Sequence, residues 1–394
     1  MRQQVLATRE ESLGLTEQKE LRIGVVGCGN ISAIYMKNAS LFRRLRMVAC
    51  ADLRPEAATL RAKEFGLREM PLEAIFDAPD IDLILNLSVP AAHHEVSMRA
   101  IRSGKHVFTE KPLCASAAEA RALLDAARAA GLVVGAAPDT FLGAAGRRAR
   151  QLIDSGALGQ VVTGTAFMLG RGMEHWHPNP AFYYQPGAGP VLDMGPYYLT
   201  MLTYLLGPVR AVTAVTSFGA KTRTITAPGP LQHSTFEAGT PTTALSLLEF
   251  RSGAILSFGA SWDVFRHSSA PLELHGTSGS LRLPDPDNFG DVVALSPQGA
   301  DWVAHASEGT PFGTTNYPVE APDRANYRAL GLAEMAEAME MGRPPRADGA
   351  LAFHVLEVLE SILHSGETRR RIEITSCPDQ PALLDEAAAE GLLR

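Results

Sequence analysis

Over the first third of the chain, short apolar runs alternate with amphipathic stretches rich in Ala and charged residues. The runs Leu21–Val26 and Met47–Ala51 read as buried strands, the second ending at Asp52. Pro55 opens a helical segment that closes near Gly66. Ile81–Leu87 predicts a third strand, followed by a helix over Ala91–Arg102 that ends at Gly104. His106–Thr109 predicts a fourth strand, Ser116 the cap of an Ala-rich helix stopping at Gly131, and Leu132–Ala136 a fifth strand. Strands and helices in this order, joined by short connections, predict a doubly wound parallel sheet with its ligand at the carboxyl ends of the strands.

Beyond residue 160 the rhythm changes. Val161–Leu169, Ala211–Phe218, Thr243–Phe250, Ala254–Trp262 and Leu272–Leu283 read as longer strands. Turn signals lie among them, at Arg251-Ser252-Gly253 and Gly276-Thr277-Ser278-Gly279. Strands in succession without helices predict a largely antiparallel sheet. Lys221–Thr242, rich in Thr, Pro and Gly, reads as a long loop, and helical patterns over Arg324–Met341 and Gly349–His364 follow. The expected fold class is α/β: an N-terminal doubly wound parallel sheet plus a C-terminal α+β domain with a large, mostly antiparallel open sheet. The expected boundaries are an extension at 1–20, a nucleotide-binding domain at 21–142, a substrate and oligomerisation domain at 143–375, and a tail at 376–394.

Composition narrows the function. At 394 residues the chain is long enough for two cores, and its net charge of −7 argues against nucleic acid as a main partner. No apolar run reaches the length of a membrane span, and the leader Met1–Glu20 has no secretory pattern. Cys28, Cys50, Cys114 and Cys377 show no paired spacing, which fits a reducing cytoplasm.

Gly27-Cys28-Gly29-Asn30-Ile31-Ser32 directly follows the first strand. Two glycines between a buried strand and a helix point backbone N–H groups at a bound pyrophosphate. Ser32 stands where a third glycine is usual. Asp52 ends the second strand about 20 residues further on, where a carboxylate accepts from a ribose 2′-hydroxyl and repels a 2′-phosphate. NAD is therefore the expected cofactor, while Arg54 leaves NADP open.

Glu110-Lys111-Pro112 lies at the exit of the fourth strand, on the same sheet edge as the glycine turn. An ammonium there suits a hydroxyl being oxidised or a carbonyl being reduced, because it donates to the developing alkoxide. Burial beside a cationic nicotinamide would lower its pKa and equip it to accept a proton. Together with the glycine turn, Pro90-Ala91-Ala92-His93 and a later Gly-rich Asp segment, this motif resembles the Gfo/Idh/MocA family of sugar and inositol dehydrogenases. The resemblance runs from about Leu21 to Ile374. It implies that Lys111 assists proton transfer beside the nicotinamide. Asn86, Ser88, Pro90, His93 and Glu110 would line the cofactor with Gly27, Cys28, Gly29, Asn30, Ile31, Asp52 and Arg54.

In the family the second catalytic segment reads Gly-Gly-Gly and then Asp-x-Gly-x-His. Here it reads Gly187-Ala188-Gly189-Pro190-Val191-Leu192-Asp193-Met194-Gly195-Pro196-Tyr197. The resemblance gives Asp193 a substrate hydroxyl to bind and puts Tyr197 where the family has its acid/base His. A phenol with a pKa near 10 is a poor base at neutral pH, which shifts proton transfer onto Lys111. The loop containing Arg171, His175, Trp176 and His177 reads as a sugar-facing lid, with Arg171 available to an anionic substrate group. Glu174, His175 and His177 also suggest a metal cluster, but the family needs no metal and none is expected. Arg147, Arg148 and Arg150 read as a solvated helix face.

The expected activity is hydride transfer between NAD(P) and a secondary hydroxyl, at ring C3 or its equivalent, of a sugar, glycoside, sugar acid or cyclitol. Two alternatives stay open: an NAD-dependent redox glycosidase acting through a 3-keto intermediate, and a non-catalytic dinucleotide sensor. A homodimer or homotetramer through the C-terminal sheet is implied by the family.

Overall fold

The computed structural model describes residues 20–316 and 324–394; most of the leader and part of the segment before the penultimate helix pair lie outside them. Strands β1 (Leu21–Val26), β2 (Leu45–Ala51), β3 (Arg68–Glu69), β4 (Leu83–Asn86), β5 (His106–Thr109) and β6 (Val134–Ala136) form one parallel sheet in the order β3-β2-β1-β4-β5-β6. The order reverses between β1 and β4, and that switch point opens a crevice at the carboxyl edge. Ile23, Val25, Leu83, Ile84, Leu85, Val107 and Phe108 have no exposed surface, as expected for a sheet covered on both faces. Ser116 accepts from the Glu119 N–H and caps the helix Ala117–Ala129 as predicted.

The second sheet joins β7 (Val161–Leu169), β8 (Val209–Ser217), β11 (Thr243–Phe250), β12 (Ile255–Ser261), β13 (Leu272–Gly276), β14 (Gly279–Leu283), β15 (Val293–Pro297), β16 (Val303–His305) and β17 (Ile372–Glu373). Its order is β16-β15-β14-β13-β7-β12-β11-β8-β17, antiparallel except for the pair β7 and β12. The stretch expected as one strand over Leu272–Leu283 is a hairpin, because its Thr277-Ser278 turn reverses the chain. The expected loop Lys221–Thr242 holds a two-stranded ribbon, β9 (Thr222–Thr224) with β10 (Thr235–Glu237).

The strands Val293–Pro297 and Val303–His305 and the helix Glu386–Leu392 have no counterpart in the sequence pattern. The longest such element is the helix Gly189–Leu206, apolar on nearly every side. Its glycines and Pro196 mask it from propensity, while packing on both the second sheet and the helix Gly349–Thr368 sustains it. Two of the three arginines expected on a solvated face are held by the protein instead. Arg147 is 4% exposed and donates to the Pro311 carbonyl, while Arg150 reaches the carbonyls of Tyr204 and Pro381. The tail also returns: the helix Glu386–Leu392 brings Leu393 beside Phe42, and the Arg394 N–H donates to the Leu41 carbonyl of the first sheet's layer. The helix Leu330–Glu340, placed by sequence in the second domain, packs against β6 and β2. No helix among the described residues is long and apolar enough to cross a membrane.

Candidate active site

The glycine turn leaves β1 with Gly27 at φ +100°, a conformation only glycine adopts freely. A Cβ on Gly27 would stand 2.4 Å from the Leu87 carbonyl oxygen, whereas one on Gly29 would meet nothing within 4 Å. The turn is therefore pressed against the exit of β4 on one side and open on the other. The helix Asn30–Ala39 begins there with no side-chain cap, so its first N–H groups are available to an anion. Ser32, in the place of a third glycine, donates to the Gly29 carbonyl and accepts from Arg61 Nε, which braces the turn from behind. Asp52 accepts from the Cys28 N–H at 2.7 Å and the Arg54 N–H at 2.8 Å, leaving further lone pairs for a ribose. These residues fit a dinucleotide.

Two residues expected to line the cofactor, Asn86 and His93, spend their side chains on the protein itself. Asn86 is fully buried and uses its amide on the His93 carbonyl, Ser97 Oγ and Ser88 Oγ. His93 is also fully buried, its Nδ1 2.6 Å from the Pro112 carbonyl and its Nε2 3.0 Å from that of Ser88. Burial holds its pKa below the usual imidazole range, against the pull of those two carbonyls. Together these side chains tie the turn after β4 to the loop after β5. Glu110 faces inward as well, accepting from Tyr35 Oη at 2.8 Å and from the Lys111 N–H.

That tie aims Lys111 across the crevice. Its Nζ donates to the Asp193 main-chain oxygen at 2.6 Å and to Asp193 Oδ1 at 3.0 Å, in the first turns of the helix Gly189–Leu206. Burial alone would lower the lysine pKa, but the charges of Asp193 and Glu110 and the bond to Asp193 outweigh it. The ammonium is held well above the ordinary lysine range; the expected lowering belongs to the site with a cationic nicotinamide beside it. One helical turn on, the Tyr197 ring lies with its centroid 5.3 Å from Lys111 Nζ. Burial and the Asp287 carboxylate raise the Tyr197 pKa, against Arg328 and Lys111.

The aromatic loop divides. Tyr183 lies within the field of Asp193 and Lys111 and meets His177 at 5.5 Å and Trp176 at 6.5 Å between ring centroids. Trp176 is 54% exposed. Arg171 and His175 point elsewhere. They line a separate cleft with Thr222, Arg223, Asp263 and Phe265, away from Lys111. Arg171 stacks on Phe265, and His175 Nδ1 turns back to the Gly172 carbonyl. Glu174 is taken by Tyr184 Oη and by Arg223, whose other partner is Asp263 at 2.5 Å. Sequence reasoning passed over Tyr183, Asp287 and Arg328 as site residues; only Tyr183 carried a local signal, as an aromatic flanking the lid.

A dinucleotide turn facing a Lys–Asp pair at the switch point of a doubly wound sheet defines an NAD-binding oxidoreductase. The pattern of the oxidoreductase family's NAD-binding Rossmann fold matches residues 21–137, and that of the GFO/IDH/MocA C-terminal domain matches residues 147–282. The chain belongs to the Gfo/Idh/MocA oxidoreductase family. It is 30% identical over 324 residues to dTDP-3,4-didehydro-2,6-dideoxy-alpha-D-glucose 3-reductase of Streptomyces violaceoruber, covering 80% of this chain and 85% of that one. It is 26% identical over 293 residues to levoglucosan dehydrogenase of Pseudarthrobacter phenanthrenivorans, covering 69% and 74%. A solved levoglucosan dehydrogenase in complex with NADH shares the fold, with a TM-score of 0.78 at 21% identity over 91% of this chain and all of that one.

Proposed function

We propose that this protein moves a hydride between NAD and a secondary hydroxyl of a sugar, sugar derivative or cyclitol, at ring C3 or its equivalent. The observation that carries the reading is the convergence of Lys111 Nζ and Asp193 Oδ1 at the crevice beside the glycine turn. Relatives named for levoglucosan and for a 3-reductase acting on a dTDP-linked deoxyhexose support a hexose ring and its third carbon.

Bound NAD would supply the acceptor or donor of the hydride. The glycine turn and the uncapped helix would hold its pyrophosphate, and Asp52 its adenosine ribose. Asp52 favours NAD over NADP through repulsion of a 2′-phosphate; Arg54, 73% exposed in its side chain, stands 3.7 Å from Asp52 and is the group that would meet such a phosphate. Lys111 stabilises negative charge on the substrate oxygen. In the reducing direction its Nζ gives up the proton that completes the alcohol; in the oxidising direction its pKa would fall beside the cationic nicotinamide of bound NAD, and the amine so freed takes the proton back. Asp193 fixes that nitrogen and accepts a neighbouring hydroxyl on its remaining lone pairs. Tyr183 and Trp176 present ring faces to the sugar.

The exposed side chains of Val215, Leu245, Leu247 and Ile255 share the face of the second sheet that no helix of the described residues covers. A second copy of the chain on this face accounts for an apolar patch that a soluble monomer would leave wet.

Purified protein incubated with monosaccharides, glycosides, inositols, sugar acids and nucleotide-linked sugars, each with NAD and with NADP, tests the assignment. Net NADH accumulation from a free sugar or cyclitol supports it. Release of an aglycone without net NADH would instead indicate a redox glycosidase, and dinucleotide binding without turnover of any substrate a sensor.

A further inference from the structure

Tyr197 and Arg328 lie 131 residues apart in sequence, yet Arg328 Nη2 donates to the phenolic oxygen at 3.3 Å. The same nitrogen stands 2.7 Å from Asp287 Oδ1, and Nη1 donates to Asn326 Oδ1 at 3.2 Å. The backbone that carries Arg328 is fastened on both sides. Asn38 Nδ2 donates to the carbonyls of Asn326 and Arg328, and the Gly331 N–H donates to buried Asp139. With its side chain 13% exposed, Arg328 is not a solvated surface cation. An ion pair at this depth forfeits much of its Coulombic gain to desolvation, so stability alone gives a weak reason for its presence.

The geometry at the phenol supplies a better one. A tyrosine hydroxyl offers one proton and accepts on its oxygen. Here the oxygen receives an N–H from Arg328, and among the described residues no hydrogen bond takes up the proton of Tyr197. An O–H that would otherwise turn about its C–O bond is thereby left pointing away from the guanidinium. Lys111 flanks the same ring. The charged groups that bear on the phenol are Lys111, Glu110, Asp287 and Arg328, and the two anions with burial keep it protonated at neutral pH. Arg328 and Asp287 also line a cavity of about 470 Å³ with Asn30 and Ile31, where the glycine turn enters its helix.

We propose that Arg328, fixed by Asp287, is a positioning residue that aims the Tyr197 hydroxyl at the reacting oxygen of the substrate. This rests on the reading of Lys111 and Asp193 as the reaction centre. A histidine in the place of Tyr197 would direct its N–H through the plane of its ring; a phenol needs an outside donor to stop its hydroxyl turning. The guanidinium supplies that constraint without touching the substrate.

A double-mutant cycle tests the proposal, using NAD and whichever substrate of the panel gives the fastest turnover. Arg328→Met is expected to lower kcat about 10- to 100-fold, with the KM for NAD within about twofold of the parent. In a Tyr197→Phe background the same change is expected to have little further effect, because the hydroxyl it positions is gone. Losses that multiply in the double variant would overturn the proposal. Asp287→Asn, which keeps the shape of Asp287 and removes the charge that fixes Arg328, carries the same cycle where the methionine variant does not fold. A second arm needs no turnover: the Tyr197 ring carbon resonance, assigned by its loss in Tyr197→Phe, should move in Arg328→Met and hold still in Asn288→Ala. An unmoved resonance in Arg328→Met would sink the contact itself, whereas a parent enzyme that turns over nothing would sink the functional reading and leave this arm standing.

Discussion

Lys111 and Asp193 form an ion pair of 3.0 Å across the two sheets' layers, the lysine from the loop after β5 and the carboxylate from the first turns of a helix packed on the second sheet. Neither partner reaches the other through local structure, since 82 residues separate them. The pair therefore registers one layer against the other at the point where the crevice narrows.

Removing the ammonium separates its chemical role from cofactor binding. Lys111→Ala is expected to reduce kcat by about 10²- to 10⁴-fold, the range of general acid–base assistance. The dissociation constant for NADH, followed by quenching of protein fluorescence, should stay near that of the parent. Turnover close to the parent's would remove Lys111 from the reaction.

Asp52 holds the glycine turn through the Cys28 N–H and presents its charge to the ribose site. Asp52→Asn keeps one acceptor and loses the charge. The ratio of kcat/KM for NAD over NADP should fall about tenfold, about 1.4 kcal/mol. An unchanged ratio would assign the preference to another residue.

Arg223 sits between Glu174 and Asp263 with its side chain 7% exposed. Arg223→Met leaves two carboxylates facing each other without their cation, and the lid that Glu174 anchors loses its footing. Urea unfolding should show a loss of about 3–5 kcal/mol. A variant as stable as the parent would mean that these carboxylates find other partners.

His354 is fully buried, accepting from the Val209 N–H at Nε2 and meeting Ser376 Oγ at Nδ1, and burial pushes its pKa down to about 4. The unfolded chain takes up this proton at a higher pH than the folded one. Stability is then full above the ordinary histidine range and falls as the pH drops from about 6.5 toward 4, by about 3 kcal/mol from this residue. Denaturation midpoints measured across that window should slope less in His354→Gln; parallel slopes would clear His354 of the effect.

Much of the scaffold was legible because its signals are short-range. The β1 turn, Ser116 as a cap, and strands such as Val161–Leu169 and Thr243–Phe250 follow from periodicity and from residues a few positions apart. The helix Gly189–Leu206 was hidden because its stability comes from neighbours on nearly every side rather than from propensity. Arg171 and His175 share a loop with Trp176, yet an intervening short turn sends them into another cleft. Adjacency in sequence says little about which way successive side chains of an irregular loop point.

By itself, then, the sequence determined the parallel nucleotide-binding sheet and the glycine turn with Asp52, since each is written in a local pattern, and its resemblance to a family singled out Lys111 and Asp193 as candidates for the chemistry. Only the tertiary structure decided that Lys111 is held charged by Asp193, that Asn86 and His93 spend their side chains on the protein itself, and that Arg328 and Asp287 reach Tyr197. Those outcomes depend on which distant segments meet and on how much water is excluded where they do, and no periodicity along the chain encodes either.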